Sequence, residues 1–181
     1  MMSESVTPYH DSKLNKKQQV AKMFNSIAWR YDFLNHFLSF GVDKYWRRKT
    51  VAQLKEDKPR LILDVASGTA DLAISSLRLN PLKVYGIDIS EDMLKIGREK
   101  LRKKKLQEKI ELIESDSENL IFEDNKFDAI TVGFGVRNFE NLEKGLSEML
   151  RVLKPGAKAV ILEFSKPKNS IIQTLYSFYS S

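Results

Sequence analysis

The segment from Asp64 to Asp71 has the residue types of a nucleotide-binding turn, although it contains a single glycine, Gly68. A dinucleotide site usually has three glycines in such a turn, because an anionic pyrophosphate must approach the backbone at a helix N-terminus. Alanine occupies the two flanking positions, Ala66 and Ala70, so the segment matches a phosphate-binding loop poorly. Taken alone, it is also compatible with an ordinary turn between a strand and a helix.

The acidic residues around this turn favour a cationic ligand. An aspartate stands at each end of the turn, and Asp116 and Glu118 follow later in the chain. Carboxylates attract a sulfonium ion, whereas they would repel a pyrophosphate. Asp88 follows Gly68 by twenty residues, which is a typical distance for a carboxylate that accepts hydrogen bonds from ribose hydroxyls. The pattern therefore predicts S-adenosylmethionine, which has no phosphate, as the cofactor.

Short apolar runs that alternate with helical patterns would position these residues. Five runs are typical of buried parallel strands: Leu61–Val65, 83–87, 109–113, 127–134 and 158–164. Helical patterns cover residues 70–79, 90–105 and 139–153. This alternation predicts an α/β fold with a doubly wound, mostly parallel sheet. The acids described above would lie at the carboxyl ends of its strands, where such sheets bind ligands.

The N-terminal third has a different pattern. We predict a flexible tail over residues 1–12 and a helical cap over 13–58, interrupted at residues 39–41, before an α/β domain over 59–181. Residues 1–60 contain twelve Lys/Arg and six Asp/Glu, a balance of +6 that equals the net charge of the whole chain. A basic segment can contact an anionic membrane or a nucleic acid. Its more ordinary interpretation is a solvated helix surface.

The composition excludes several classes of protein. A chain of 181 residues without cysteine has no disulfide framework, no thiolate metal site and no cysteine nucleophile. We predict no metal site. The polar N-terminus and the lack of a long apolar run predict a cytoplasmic protein. Five strands, followed by an apolar stretch over residues 171–179, lead us to expect a chain whose last strands are missing at its C-terminus.

Four stretches resemble the ubiquinone/menaquinone biosynthesis C-methyltransferases. The more general two are LDVASGTADLA (63–73) and GIDISEDML (86–94). The more specific two are YDFLN (31–35) with LSFG (38–41), and GFGVRNF (133–139) with RVLKPG (151–156). The resemblance covers roughly residues 20–168, and it implies a Rossmann-like sheet of the class I methyltransferase type. The sequence departs from the family pattern at three positions. Ala70 stands where glycine is frequent, Ala157 follows Gly156 where a second glycine is common, and Ile121 stands where a proline is usual.

The resemblance implies that a methyl group passes from S-adenosylmethionine to a ring carbon of a polyprenylated quinol. It assigns cofactor binding to five residues: Gly68, Thr69, Asp88, Asp116 and Ser117. Demethylmenaquinol is the preferred acceptor, partly because of the stretch LEFSKP (162–167). A ubiquinone precursor of the benzoquinol type and an acceptor outside quinone biosynthesis are the alternatives.

The same resemblance assigns catalysis to Arg137, Asn138 and Tyr31. Arg137 would stabilise the developing phenolate, with a water molecule taking the proton, since an arginine stays protonated and is a poor base. Tyr31 would cover the cofactor or orient the acceptor hydroxyl. The simpler alternatives are an ion pair of Arg137 with Glu140 or Glu163, and a packing role for Tyr31.

The expected partners follow from the acceptor. A polyprenyl tail lies in the bilayer, so we expect transient contact with the inner face of the membrane, and a homodimer is compatible with the sequence. We expect no nucleic-acid partner, because basic and aromatic residues are not interleaved on a recognisable platform. An RNA-binding protein and a cofactor-binding fragment without activity are the competing hypotheses.

Overall fold

The computed structural model describes residues 14–38 and 42–163, with side chains described over 14–29 and 42–163. Within these residues, five helices and five strands follow one another. Their bounds are α1 Lys16–Leu38, α2 Val42–Ala52, β1 Leu61–Val65, α3 Asp71–Ser76, β2 Lys83–Asp88, α4 Glu91–Lys104, β3 Ile110–Glu114, β4 Phe127–Gly133, α5 Leu142–Val152 and β5 Leu153–Leu162. Short 3-10 turns cover Leu77–Leu79 and Val136–Asn138. The predicted tail and the stretch over residues 171–179 lie outside the described residues.

The strands form one parallel sheet with the order β3-β2-β1-β4-β5. This confirms the predicted α/β fold. The chain moves outward from β1 to β3 and then returns to the other side of β1, so the strand order reverses between β1 and β4. In a parallel sheet, the loops on the two sides of such a reversal leave a crevice beyond the carboxyl ends of the strands. The candidate site should therefore lie above β1 and β4.

Consecutive residues of β1 supply both layers of the core. Leu63 packs on one face of the sheet with Phe127 and Met149, while Ile62 packs on the other with Leu54 and Leu94. All six of these side chains are almost fully buried. Adjacent residues of a strand point to opposite faces, so a strand covered on both sides must be apolar at nearly every position. This explains the continuous apolar run by which β1 was predicted.

The fifth strand differs from its prediction. It was expected over residues 158–164, but it begins at Leu153, directly after α5, and Phe164 lies outside the described residues. Phe127 pairs with Leu153, and Ala129 pairs with Lys158, so the chain between them bulges out of register. Gly156 occupies this bulge with a φ of 78°, a conformation that favours glycine. The Lys-Pro-Gly segment (154–156) therefore follows the end of α5 and starts the strand with an irregular turn.

The two N-terminal helices pack on different parts of this fold: α1 lies against α4, and α2 lies against α3 and β5. Across the described residues, no helix is both long enough and apolar enough to span a bilayer. The domain boundary at residue 58 stays a prediction.

Candidate cofactor and active site

The turn after β1 is built on three residues in the left-handed region of the backbone. Ala66, Gly68 and Ala70 have φ values of 54°, 53° and 70°. Left-handed backbone costs a residue with a Cβ roughly 1–2 kcal/mol, whereas glycine adopts it freely. The two alanines that made this turn a poor glycine fingerprint therefore adopt the backbone shape that glycine usually provides, at a cost in stability.

Asp64 lies beneath the turn and does not reach the ligand side. Its carboxylate is fully buried and accepts hydrogen bonds from Thr131 Oγ1 at 2.6 Å and Ser67 Oγ at 2.7 Å. Burial raises the pKa of Asp64 from its ordinary value of 3.8 to about 6, although the hydrogen bonds and the more distant Arg47 oppose the shift. Asp64 therefore holds the turn against β4. The sequence analysis predicted a different role, the attraction of a cationic ligand.

The raised pKa of Asp64 makes a testable contribution to the pH dependence of stability. The unfolded chain releases this proton near pH 4 and the folded chain near pH 6. The favourable contribution of Asp64 to folding stability is therefore complete below about pH 4. It is lost as the pH rises through about 6. The loss should be about 3 kcal/mol.

Urea denaturation of Asp64→Asn tests this contribution. Between pH 4 and 7.5, the free energy of unfolding of the variant should rise by that amount relative to the wild type. Parallel pH profiles for the two proteins would contradict this, and the exposed Asp57→Asn variant serves as the control.

Asp71, the second acid of the turn, also points away from the ligand side. It begins α3 and forms ion pairs with Lys100 at 2.7 Å and with Arg47 at 3.5 Å. Lys100 Nζ also donates to Thr69 Oγ1 at 3.1 Å. Thr69 is nearly fully buried in this cluster. The first turn of α3 thus directs Asp71 and Thr69 toward α4 and α2, so the structure does not bring the side chain of Thr69 to the cofactor side of the loop.

Asp88 is placed at the end of β2 by two backbone hydrogen bonds. Its Oδ2 accepts from Gly68 N at 2.8 Å and its Oδ1 from Ser90 N at 2.9 Å. Burial raises the pKa of Asp88, although these two bonds and the nearby backbone N–H of Ile89 act in the opposite direction. A carboxylate oxygen has two lone pairs, so each oxygen of Asp88 can accept a further hydrogen bond. The pair of oxygens therefore fits the two hydroxyls of a ribose.

The loop after β3 provides two further acids. Asp116 Oδ2 and Glu118 Oε2 lie 2.7 and 2.9 Å from the same ammonium group, that of Lys17 in α1. Burial by itself would lower the pKa of Lys17, but hydrogen bonds to Asp116 and Glu118 outweigh it and raise that pKa. Glu118 is 3% exposed, and its Oε1 accepts from the backbone N–H groups of Glu140 and Asn141 at 2.8 and 2.9 Å. This loop is thus joined both to α1 and to the segment after β4.

The loop after β4 completes the site with a strained backbone. Phe134 has a φ of 58°, which is rare for a bulky residue and typical of functional loops. Its backbone N–H donates to Leu162 O at 2.8 Å. At Gly135 an added Cβ would lie only 2.4 Å from the Cβ of Ala66. The turns after β1 and β4 are therefore in direct contact, and this contact requires a glycine.

A pair of substitutions tests that contact. Gly135→Ala should destabilise the protein by about 1–3 kcal/mol, because neither backbone can move without disturbing the core. Ala66→Gly removes the opposing Cβ at a position of positive φ, so the double variant should recover most of the loss. Urea denaturation of the four proteins in this cycle should give a coupling energy of at least about 1 kcal/mol. Strictly additive effects would show that the two turns are not in contact.

These loops enclose a cleft with about 670 Å³ of empty space, which includes solvent at its open side. Polar side chains of the lining lie at the ends of β2 and β3, on α1 and in the loop after β4. Apolar side chains form much of the remaining wall: Val20, Phe24, Ile87, Ile89, Met93, Phe134 and Phe139. Ser115 Oγ, also in the lining, is buried and has no hydrogen-bond partner within the described part of the chain. The ribose acceptors, the apolar walls and this unpaired hydroxyl fit S-adenosylmethionine.

The structure brings together most of the predicted site residues. Four predicted cofactor residues, Gly68, Asp88, Asp116 and Ser117, line the cleft together with Asn138.

The other two predicted catalytic residues are Arg137 and Tyr31. The guanidinium of Arg137 is half exposed, lies outside the lining and contacts Glu163 Oε1 at 3.0 Å. This ion pair is the simpler alternative that we had weighed for Arg137. The side chain of Tyr31 lies outside the described residues.

Sequence reasoning missed the contribution of α1. Lys17, Val20 and Phe24 line the cleft, and the spacing of three and four residues puts them on one face of the helix. Val20 and Phe24 also follow the spacing of an apolar stripe, which by itself indicates packing and not a ligand site. A lysine extending that apolar stripe was the available signal, because a charge on a buried helix face needs a partner.

The fold has relatives among solved structures. The structure of an S-adenosylmethionine-dependent methyltransferase from Aquifex aeolicus is similar with a TM-score of 0.59 and 28% sequence identity, covering 67% of this chain and 66% of that one. The cyclase SpnF has a TM-score of 0.73 at 22% identity, covers 92% and 72%, and shows the fold alone. With the cleft described above, this chain is an S-adenosylmethionine-dependent methyltransferase.

Sequence comparisons identify the family. The model of the ubiE/COQ5 methyltransferase family matches residues 12–181, and the chain belongs to that family. The demethylmenaquinone methyltransferase of Bacteroides fragilis is 50% identical over 179 residues, which cover 98% of this chain and 72% of that protein. The ubiquinone/menaquinone biosynthesis C-methyltransferase UbiE of Geobacter sulfurreducens is 45% identical over 166 residues, covering 91% and 65%. The resemblance found in the sequence motifs is thereby confirmed.

Proposed function

We propose that this protein methylates a ring carbon of a polyprenylated quinol, with demethylmenaquinol as the acceptor. The observation that carries the proposal is its 50% identity, over nearly the whole chain, to the demethylmenaquinone methyltransferase of Bacteroides fragilis. The mostly apolar wall of the cleft supports it, because a hydrophobic ring can enter beside Phe134 and Phe139.

Different residues of the cleft serve cofactor binding and catalysis. S-adenosylmethionine, when bound, supplies the methyl group that the ring carbon takes up. Asp88 binds the ribose, Asp116 and Ser117 contact the adenine, and Gly68 lets the backbone come close. The acceptor must lose its hydroxyl proton to become a sufficient nucleophile.

The loop after β4 provides the groups nearest the acceptor. Asn138 orients the ring in the cleft, and Arg137 stabilises the phenolate, with a water molecule accepting the proton. The half-exposed guanidinium of Arg137 stands beside Glu163 at the edge of the site, so it can turn toward an acceptor that enters from outside. Tyr31 stays a predicted part of the site.

Quinone analysis tests the acceptor. In cells lacking this gene, mass spectrometry should find a menaquinone precursor lacking one methyl group, and the purified protein should methylate demethylmenaquinol. A benzoquinol precursor accumulating in its place would point to ubiquinone biosynthesis, and no change in either quinone would overturn the proposal. Sedimentation velocity would show whether the protein forms the homodimer with which the sequence is compatible.

We further propose that α2 and the groove beside it contact the anionic inner face of the membrane, where the acceptor lies. The groove is lined by six cations and one acid: Lys44, Arg47, Arg48, Arg78, Lys100, Lys104 and Asp71. Four of the cations, Lys44, Arg48, Arg78 and Lys104, form no ion pair with any described residue. On the outer face of α2, Val42 and Tyr45 are 42% and 56% exposed. Cations beside exposed apolar groups are typical of helices that bind at a bilayer surface.

Vesicle flotation tests this surface. The protein should float with vesicles containing phosphatidylglycerol more than with pure phosphatidylcholine, and Lys44→Glu with Arg48→Glu should abolish the difference. Lys55→Glu with Lys58→Glu, exposed residues outside the groove, changes the net charge equally and should float normally. Equal flotation of both double variants would overturn the proposed surface, while methylation of a detergent-solubilised acceptor would still test the enzymatic function.

A further inference from the structure

Helix α1 is fastened to the loops after three different strands. Lys16 Nζ donates to Phe139 O, after β4, at 2.7 Å. Lys17 contacts the carboxylates after β3, and Ser90 Oγ, after β2, donates to Asn25 Oδ1 at 2.6 Å. Each of these strands ends at the cleft. The first three turns of α1 therefore cross the cleft from one side to the other.

The face of α1 between these contacts forms the roof of the cleft. Val20 and Phe24 lie between the polar contacts and line the cleft from above. The other walls come from strand-end loops, which the sheet holds in place. The roof is attached to these loops by the polar contacts described above and to the rest of the protein by packing on α4, so it can separate from the loops without unfolding the sheet.

Lys17 makes the central contact of this roof. Its ammonium group bridges Asp116 and Glu118, and all three residues belong to the lining of the cleft. The side chain of Glu118 is 4% exposed, so its charge has little access to water and depends on Lys17. Glu118 also holds the N–H groups of Glu140 and Asn141, a few residues after Asn138. A single lysine thus joins the roof, the predicted adenine contact and the loop that carries the predicted catalytic residues.

We propose that Lys17 is a positioning residue that closes α1 over the bound cofactor, and that cofactor exchange requires its contacts with Asp116 and Glu118 to break. The inference rests on the cofactor's lying in this cleft and is independent of the acceptor. Lys17 orients Asp116 from one side and leaves lone pairs of that carboxylate open toward the cleft. The same two contacts hold the roof in place after the cofactor has entered.

The dissociation rate of S-adenosylmethionine measures this role directly. Lys17→Met removes both contacts and should accelerate dissociation by at least about 10-fold, which is the effect of losing even one charge-assisted contact. It should also raise KM for the cofactor without lowering kcat. Lys17→Arg keeps the charge and should retain slow dissociation. Higher ionic strength should accelerate dissociation from the wild type, because salt screens a partly exposed ion pair, but should have little effect on Lys17→Met.

A matched control and a folding check make the outcome decisive. Lys22→Met removes one charge from the exposed part of the same helix and should leave dissociation unchanged. Unaltered dissociation in Lys17→Met, or equal changes in both variants, would overturn the proposal, as would a fall in kcat with unchanged cofactor affinity. If Lys17→Met fails to fold, the salt dependence of the wild type decides, and salt-independent release overturns the proposal. Failure of the wild type to bind the cofactor would instead refute the function of the cleft.

Discussion

Asp88→Ala is expected to weaken the binding of S-adenosylmethionine by about 100-fold, because two hydrogen bonds from ribose hydroxyls to a carboxylate are lost. Isothermal titration calorimetry with the purified protein measures the effect. The backbone N–H groups of Gly68 and Ser90, which donate to Asp88, would also lose their acceptor. Part of the loss would therefore reflect a less ordered turn. Asp88→Asn, which preserves the shape of the side chain, should show an intermediate affinity.

Asp128 provides a matched control for this effect. Its Oδ2 accepts from the backbone N–H groups of Arg60 and Leu61 at 2.9 and 2.8 Å, so it also fastens a turn to a strand, but at the opposite edge of the sheet. Asp128→Ala should lower stability and leave cofactor affinity unchanged. If both variants lost affinity to the same extent, Asp88 would have a structural role only, and the ribose assignment would be wrong.

Arg137→Met is expected to lower kcat by about 100-fold with little change in cofactor affinity, if the guanidinium stabilises the phenolate that forms during methyl transfer. A stopped or quenched assay at saturating acceptor gives kcat, and calorimetry gives the affinity. In this assignment, the positive charge acts during the reaction and contacts no part of the cofactor. The substitution should therefore lower kcat and leave the affinity for the cofactor nearly unchanged.

Glu163→Gln distinguishes this role from the simpler one. Glu163 is the ion-pair partner of Arg137, and a partly exposed ion pair contributes at most about 1 kcal/mol to stability. If the pair were only structural, Arg137→Met and Glu163→Gln should both have small effects on kcat and on stability. A large loss of kcat in the arginine variant alone supports catalysis, and small losses in both would overturn it.

The strands and the strand-end acids were predictable because local sequence determines them. A run such as Leu61–Val65 must be buried on both faces, and the carboxyl end of each parallel strand faces the same edge. Asp88, Asp116 and Asn138 lie in the cleft for that reason alone.

The direction of individual side chains was not predictable in the same way. Asp64 and Asp71 flank the turn in sequence, yet one points into the core and the other toward Lys100, because strand alternation and the first turn of α3 determine their directions. Lys17 is distant in sequence from the acids that it contacts. Only the packing of α1 across the sheet brings it to Asp116, and no local pattern specifies that packing.

The contact between the turns after β1 and β4 has a consequence for evolution. Position 66 carries a methyl group and position 135 carries none, and the space between them admits one methyl group. Homologous proteins with this backbone should therefore vary jointly at the two positions: alanine with glycine, glycine with alanine, or glycine with glycine. In a family in which both positions carry a side chain, the two loops must lie farther apart. The geometry of the cofactor cleft between them must then differ as well.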